Sequence, residues 1–519
     1  MTNNNKKIVI IGAGASGLVS AIYARHCGFD VTVYEKNPNL GGCCCGWERK
    51  GNYIDGCIHW LMGCRDDGSI INDIWKTCGV FDGQGVHFAE SFLDFDIDGE
   101  MFHWYTDLTK LKNEMLRVAP EDKKRIKQFV RMVKNYIDFP MPTQKPVDLY
   151  NIFELTKIGV TLAARYAKMT VHSKISAENY SKKFKSPILQ KVIGAIVPPK
   201  YNLMSALYMI GALASGDSAI PIGGSQAMSD RMAARARALG CNIFTNCGVK
   251  NIIVENHTAC GVALENGETV AADYVISTVD ATHALDKLLE GKYPVPDFSM
   301  RNADRNKYPL YTYTFTALKV HADISHLHHD AVIKADFGDL GTPCDMLSLR
   351  NYSYDPTLKG EDGSTVMQVC LVGLDEMYDY WNAQRANGNY RARKAEVGKN
   401  FQQIVENYYP ELKGKTEIID VVTPLTYERY LNTRNGTFQG YIATDKSKPL
   451  DARNYIPELS NFVFSGQWLM RSGGLPAAAY QGRFAIQRIC DWEKVKFTET
   501  RKNSLLRQLK EAFGKKQKI

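Results

Sequence analysis

The sequence predicts an α/β protein, with a dinucleotide-binding domain assembled from separate parts of the chain and joined to an α+β domain. Three observations carry this reading. A strand, a glycine-rich turn, a helix and a second strand follow one another near the N-terminus. A long middle region mixes helical and strand-like patterns of a different texture. A strand ending on glycine, then a glycine-rich loop and a helix, closes the patterned part of the chain. At 519 residues there is material for roughly two to four domains. With 45% apolar and 23% charged residues, the composition excludes a disordered chain, a fibrous repeat and a small disulfide scaffold.

The N-terminal unit is the most informative. Residues Ile8 to Ile11 read as a buried strand and Gly12-Ala13-Gly14-Ala15-Ser16-Gly17 as the turn. A helical pattern runs through Leu18, Ile22 and Arg25 to Gly28. Val31 to Tyr34 reads as the second strand, closed by Glu35. This is a Rossmann-type βαβ unit in full register. Gly12 permits the tight turn, Gly14 lets backbone approach a pyrophosphate, and Gly17 lets helix and strand pack closely. Unpaired N–H groups at the helix start face the phosphates. Glu35 is placed to accept hydrogen bonds from a ribose, and an acid there selects FAD or NAD over a 2′-phosphorylated cofactor. Lys6-Lys7 and the apolar run to Ala24 have the outline of a signal peptide, but the spaced glycines, second strand and acid argue against one.

Residues 100 to 220 read as mostly helical. The apolar stretches Ile152–Met169 and Met204–Ala214 are expected to be buried core, with some lining an apolar tunnel. A helix is expected over Gln226–Leu239. Strands follow at Asn242–Thr245, Gly248–Val254, Gly261–Leu264 and Ala271–Thr278, with Asn266-Gly267 as a hairpin turn. Strand-like runs recur at Tyr311–Leu318, Asp345–Leu349 and Thr365–Leu374, and a helix around Ala395–Tyr408. The closing strand Phe462–Phe464 leads through Ser465-Gly466 and Gln467-Trp468 to Ser472-Gly473-Gly474-Leu475-Pro476-Ala477-Ala478 and a helix.

A second motif sharpens the reading. Glu35-Lys36, four residues, Gly41-Gly42, then Asp55-x-x-x-His59 resembles the flavoprotein superfamily of amine oxidases and phytoene desaturases. Gly41-Gly42-Cys43-Cys44 and Ile58-His59-Trp60 are most similar to the branch with retinol saturases and carotenoid isomerases. Thr423-Pro424-Leu425-Thr426, Tyr430 and Gly436 to Tyr441 resemble a segment of the same branch. The resemblance implies FAD, contacted by Gly12, Gly14, Ala15, Ser16 and Gly17, by Glu35 and Lys36, and by Gly41, Gly42 and Cys43 along the pyrophosphate. It places the Val249 backbone at the adenine, Thr278 above the dinucleotide and His59 near the isoalloxazine. Gly466, Gln467, Gly474, Leu475 and Ala478 would bring a second helix N-terminus to the pyrimidine ring, favouring reduced flavin. There are departures: Cys43 stands where amine oxidases usually carry Arg, Cys57 where related saturases often have Gly, and Gln467 where many relatives have an acid.

The implied organisation is a FAD-binding domain from residues 1–100, 221–300 and 456–492, and a substrate domain from 101–220 and 301–455. A basic tail follows at 493–519. The implied reaction is saturation, desaturation or isomerisation at a carbon–carbon double bond of an apolar polyene or lipid, with His59 and Tyr430 as acid/base residues. An amine oxidase, a fatty-acid hydratase or double-bond isomerase, and a non-catalytic flavin- and lipid-binding protein remain alternatives. No second glycine module offers a nicotinamide site. NAD(P)H would therefore bind transiently, or electrons would pass through quinone, oxygen or a partner protein.

Charge and cysteine usage bound the rest. The net charge is +8, of which the last 27 residues carry +6. A nucleic-acid surface is therefore not expected. In the tail Leu505, Leu506, Leu509, Ala512 and Phe513 share a helical face among basic residues, which suits peripheral contact with an anionic membrane. Thirteen scattered cysteines without a CxxC pair predict a reducing, cytoplasmic setting. His321, His326, His328 and His329 are read as a polar loop, and no metal is expected.

Overall fold

The computed structural model describes residues 6–137, 139, 143–448, 452–470 and 472–498. The amphipathic part of the basic tail, Leu505 to Phe513, lies outside the described residues.

The dinucleotide domain is built on five parallel strands, in the order Asn242–Phe244, Asp30–Tyr34, Lys7–Ile11, Tyr274–Ser277 and Phe462–Phe464. The alternation of side chains along a strand assigns its two faces. Ile8 and Ile10 pack against the helices Ala15–His26, Gly224–Ala238 and Gly474–Trp492. Val9 and Ile11 pack instead against a three-stranded antiparallel sheet (Val249–Glu255, Thr258–Leu264, Thr269–Ala271). The chain enters this sheet at the N-terminus and closes it at Phe464. Ser16 Oγ and Ser465 Oγ lie 2.5 Å apart, tying the glycine turn to the last strand. Residues up to Thr498 run back over the first helix, where Phe497 stacks on Tyr23.

The second domain is organised on a seven-stranded mixed sheet. Its order is Thr416–Val422, Thr312–Val320, Thr365–Gly373, Met346–Asn351, Asp330–Lys334, Ser91–Ile97 and Glu100–Tyr105. One face carries Leu318, Leu349, Val369 and Leu371 under the helices Asp375–Ala386 and Tyr390–Tyr408. The other carries Tyr313, Phe315 and Cys370 toward the hairpin Gly46–Arg49/Asn52–Asp55. Residues 91–97, which the sequence reading leaves in the dinucleotide domain, are thus a strand of this second sheet. Nothing local in the sequence says which sheet they join.

Helices pack against the far end of this sheet. In Lys123–Lys134 the buried residues Ile126, Phe129, Val130 and Val133 form one stripe. Each contributes roughly 1.5–3 kcal/mol on burial. The two apolar stretches expected to be core behave differently. Leu203–Ala214 buries seven of its twelve residues. Ile152–Ser173 begins with a capping box between Asn151 and Glu154 and buries only Ile158 and Leu162. Phe153 is 83% exposed and Val160 77%. Its apolar residues are spread around the helix rather than gathered on one face, so composition alone misplaces it.

Candidate active site

The glycine turn is held by its own backbone. Gly12 N–H donates to the Tyr34 carbonyl at 2.8 Å, with φ at +97°. A Cβ on Gly17 would lie 2.1 Å from the Gly12 carbonyl oxygen, so only glycine fits. Gly14 differs: an added Cβ would meet no protein atom within 3.7 Å. The space above it belongs to the cavity, at the start of a helix that no side chain caps. Open backbone donors beneath such a space form a cradle for an anionic group. Gly41 N–H donates to the Ala13 carbonyl at 2.9 Å, which lays the second glycine pair beside the first. Cys43, Ala15 and Ser16 line the same groove, while Gly17 serves the packing beneath it.

Glu35 is buried and accepts from Ala13 N–H (2.9 Å), Asn37 N–H (2.9 Å) and Asn37 Nδ2 (3.0 Å). These bonds fix its carboxylate at the rim of the groove. Lys36 Nζ is turned to Asn432 Oδ1 at 2.9 Å. Val249 lines the groove where Cys247 N–H meets the Glu35 carbonyl. Thr278 also lines it, but its hydroxyl donates to the Ile11 carbonyl and braces the turn. At the other side Gly466, Gly474, Leu475 and Ala478 line the cavity at the start of the last helix. Gln467 is committed to the protein: its Oε1 accepts from Gly474 N–H (2.8 Å) and its Nε2 donates to the Phe438 carbonyl (2.9 Å). It shapes this approach by holding the helix start, not by presenting its amide to a ligand.

The reacting end is made of side chains. Asp55, buried, accepts from Cys57 N–H, Ile58 N–H, Ser225 N–H and the Ser225 hydroxyl at 2.6–3.1 Å. This anchors the turn that delivers His59 to the cavity wall, which is the physical content of the Asp-x-x-x-His spacing. Tyr313 Oη lies 3.3 Å from His59 Nε2. Arg350 is fully buried, donates to Asp330 through Nε (3.0 Å) and Nη2 (2.6 Å), and faces the same wall. Burial, with the Arg350 charge beside it, holds His59 well below the usual histidine range, so its imidazole is neutral. Burial pushes the Tyr313 phenol well up, so it keeps its proton.

Tyr430 is not part of this group. It is 45% exposed, its carbonyl accepts from Asn37 Nδ2, and Arg429 covers its ring. The acid/base residue expected at Tyr430 thus stands apart from His59, at the rim of the same cavity beside Asn37. The sequence signal for Tyr313 was the alternation Tyr311-Thr312-Tyr313-Thr314-Phe315, which sends one set of side chains to the cavity and the threonines to the helices behind. Burial pushes the Cys45 thiol up to about 12, and no disulfide forms among the described residues.

Groove and reacting end share one cavity of about 1350 Å³. That exceeds the roughly 300–1,000 Å³ of a single small-ligand pocket, leaving room for a dinucleotide and an elongated second molecule. The rest of the lining is mostly apolar, with Phe92, Leu93, Met204, Met209, Val332 and Met346, and it includes charged residues such as Lys191 and Asp345. The open space at Gly14, the uncapped helix start and the fixed Glu35 fit the pyrophosphate and ribose of FAD. The sequence profile for a NAD(P)-binding Rossmann-like domain matches residues 10–77, and that for flavin-containing amine oxidoreductases matches residues 159–490. The chain belongs to the flavin-containing amine oxidoreductase family. Within it this flavoprotein is an oxidoreductase of the phytoene desaturase-like kind. It is 24% identical over 518 residues to a neurosporene-forming phytoene desaturase of Rhodobacter capsulatus, covering 95% of both chains. It is 22% identical to the human all-trans-retinol 13,14-reductase, covering 83% of this chain and 77% of that one. Its fold matches an oxidoreductase from Methanosarcina mazei with a TM-score of 0.59 at 16% identity, over 93% of this chain and 100% of that one. Among the described residues no helix is long and apolar enough to cross a membrane.

Proposed function

We propose that this flavoprotein adds or removes hydrogen across a carbon–carbon double bond of an elongated apolar polyene or lipid, or moves such a bond without net redox change. The observation that carries this reading is the single cavity joining the dinucleotide groove to an apolar chamber, with the neutral His59–Tyr313 pair at the junction. Bound FAD supplies hydride exchange with a substrate carbon. The apolar walls orient a long substrate and exclude water. Tyr313 holds a proton at Oη with the neutral His59 imidazole beside it, so in saturation the phenol would give that proton to the neighbouring carbon, and in desaturation the step would run backward. Transient NAD(P)H, a quinone or oxygen would carry electrons in or out. A membrane source for the substrate is supported by the exposed apolar residues Ile152, Phe153 and Val160, on the same helix as the cavity-lining Met169.

An amine substrate is favoured by one feature, the aromatic group around Phe438, whose ring centroid lies 4.7 Å from that of Tyr311 and 5.5 Å from that of Tyr313. Asp330, a carboxylate of the same cavity wall, is already held by Arg350 and Ser348. The deciding experiment incubates the FAD-loaded protein anaerobically with a long linear polyene, with retinol and with a primary amine, adding NADH, NADPH or a quinone. Gain of two hydrogens by mass marks saturation and loss of two marks desaturation. Unchanged mass with a new chromatographic peak marks isomerisation. Turnover of the amine alone, or of nothing despite stoichiometric flavin, rejects the proposal.

A further inference from the structure

Away from the cavity floor, three polar side chains from different segments converge. Asp94 lies on the strand Ser91–Ile97, and His103 sits directly opposite it on the next strand. His328 precedes the strand Asp330–Lys334, which pairs on the other side of Asp94. Asp94 Oδ1 lies 2.8 Å from His103 Nδ1, and Oδ2 lies 2.9 Å from His328 Nδ1. One ligand atom from each residue falls within 4.8 Å of the others. The two imidazole centroids are 5.8 Å apart. The Asp94 side chain is 6% exposed and the histidines about a third, so the cluster is fixed from beneath and open to water on one side.

We propose that Asp94, His103 and His328 form a binding site for one zinc-like divalent ion, with water completing the coordination. Two imidazole nitrogens and one carboxylate oxygen are the donors such an ion takes. At Zn–N and Zn–O distances near 2.0–2.2 Å, tetrahedral ligands stand roughly 3.3 Å apart. The two Asp94–imidazole spacings need to open by only a few tenths of an ångström, and the two ring nitrogens, within 4.8 Å of each other, would draw together around the ion. Each imidazole would give up its Nδ1 proton and keep the one on Nε2. The surroundings are negative: Asp96 acts on His328, and Glu114 accepts from His103 N–H at 3.1 Å. Arg117, beside Glu114, is engaged by Glu114 and Glu100. Because Phe92 and Leu93 of the Asp94 strand line the cavity, an ion here would clamp the wall of the substrate chamber.

The test uses the full-length, FAD-loaded protein, stripped of metal by chelator and titrated with Co²⁺ and then Zn²⁺. The expected result is one equivalent bound, cobalt d–d bands without a thiolate charge-transfer band, and a higher unfolding temperature with zinc. His103→Gln and His328→Gln should each lose that equivalent and that shift while keeping the flavin. His326→Gln, outside the cluster, should bind as the parent does. No stoichiometric uptake, a thiolate band, or uptake unchanged in both cluster variants would overturn the site. If the variants do not fold, uptake and the cobalt spectrum of the parent still decide.

Discussion

The two ends of the cavity are made from different materials. The groove at Gly12–Gly17 is backbone, set by a tight turn and a helix start with no cap. The reacting end is side chain, assembled from the turn that follows a hairpin and from two strands of another sheet: His59, Tyr313 and Arg350. Backbone donors are the same whatever the residue, so the groove tolerates no added atom but little depends on side-chain chemistry. At the reacting end the frame accepts substitution, and removing one oxygen changes the chemistry. Volume therefore limits substitution at one end and functional groups limit it at the other.

The contrast can be broken in steps. Gly17→Val should yield no soluble folded protein, because its Cβ would lie 2.1 Å from the Gly12 oxygen. Expression and circular dichroism check this. Gly14→Val should fold yet lose flavin, with affinity down about 1,000-fold, or about 4 kcal/mol. A Gly14→Val variant that keeps flavin would refute the cradle. Tyr313→Phe should retain flavin and lower kcat about 100-fold, whereas Tyr430→Phe should stay within about twofold. Equal losses in the two would undo the separation of Tyr430 from the reacting end. Glu35→Gln turns an amide donor toward backbone donors and should weaken FAD about tenfold, near 1.4 kcal/mol, read by flavin fluorescence.

The smallest effects are those of pH. His59 is neutral well below 6.5, so kcat/KM should show no histidine inflection near pH 6.5. An inflection there that disappears in His59→Gln would contradict this. Burial, with the Asp67 carboxylate nearby, pushes Asp217 up to about 7. A raised acid pKa stabilises fully below the unfolded value of about 3.9 and the benefit is lost as pH rises through 7. Asp217→Asn should therefore gain thermal stability relative to the parent at pH 8 more than at pH 5.

What was readable beforehand follows the same division. Gly12, Gly14, Gly17 and Glu35 lie within one local unit, so their spacing alone reports the groove. The reading of His59 came from the resemblance of Asp55-x-x-x-His59 to a family motif, and in the structure Asp55 anchors the turn that brings His59 to the cavity wall. Tyr313, Arg350 and Asp330 meet His59 across more than 250 residues of sequence, and no local pattern encodes that meeting. The same limit separates Ile152–Ser173 from Leu203–Ala214: both are apolar, but only a partner decides which is buried. His328 read as loop for the same reason, since Asp94 and His103 arrive from two other strands.

The contact between Ser16 and Ser465 bridges 449 positions of sequence. During synthesis the glycine turn emerges early, yet its sheet lacks an edge strand and its covering helix until Trp492 has left the ribosome. Domains normally fold as units while the chain is made, but this one must wait. Cofactor loading is then a late, post-translational event. A chain stalled or cut before Phe462 would expose an apolar groove with no ligand to fill it, which makes it a natural client for chaperones and proteases.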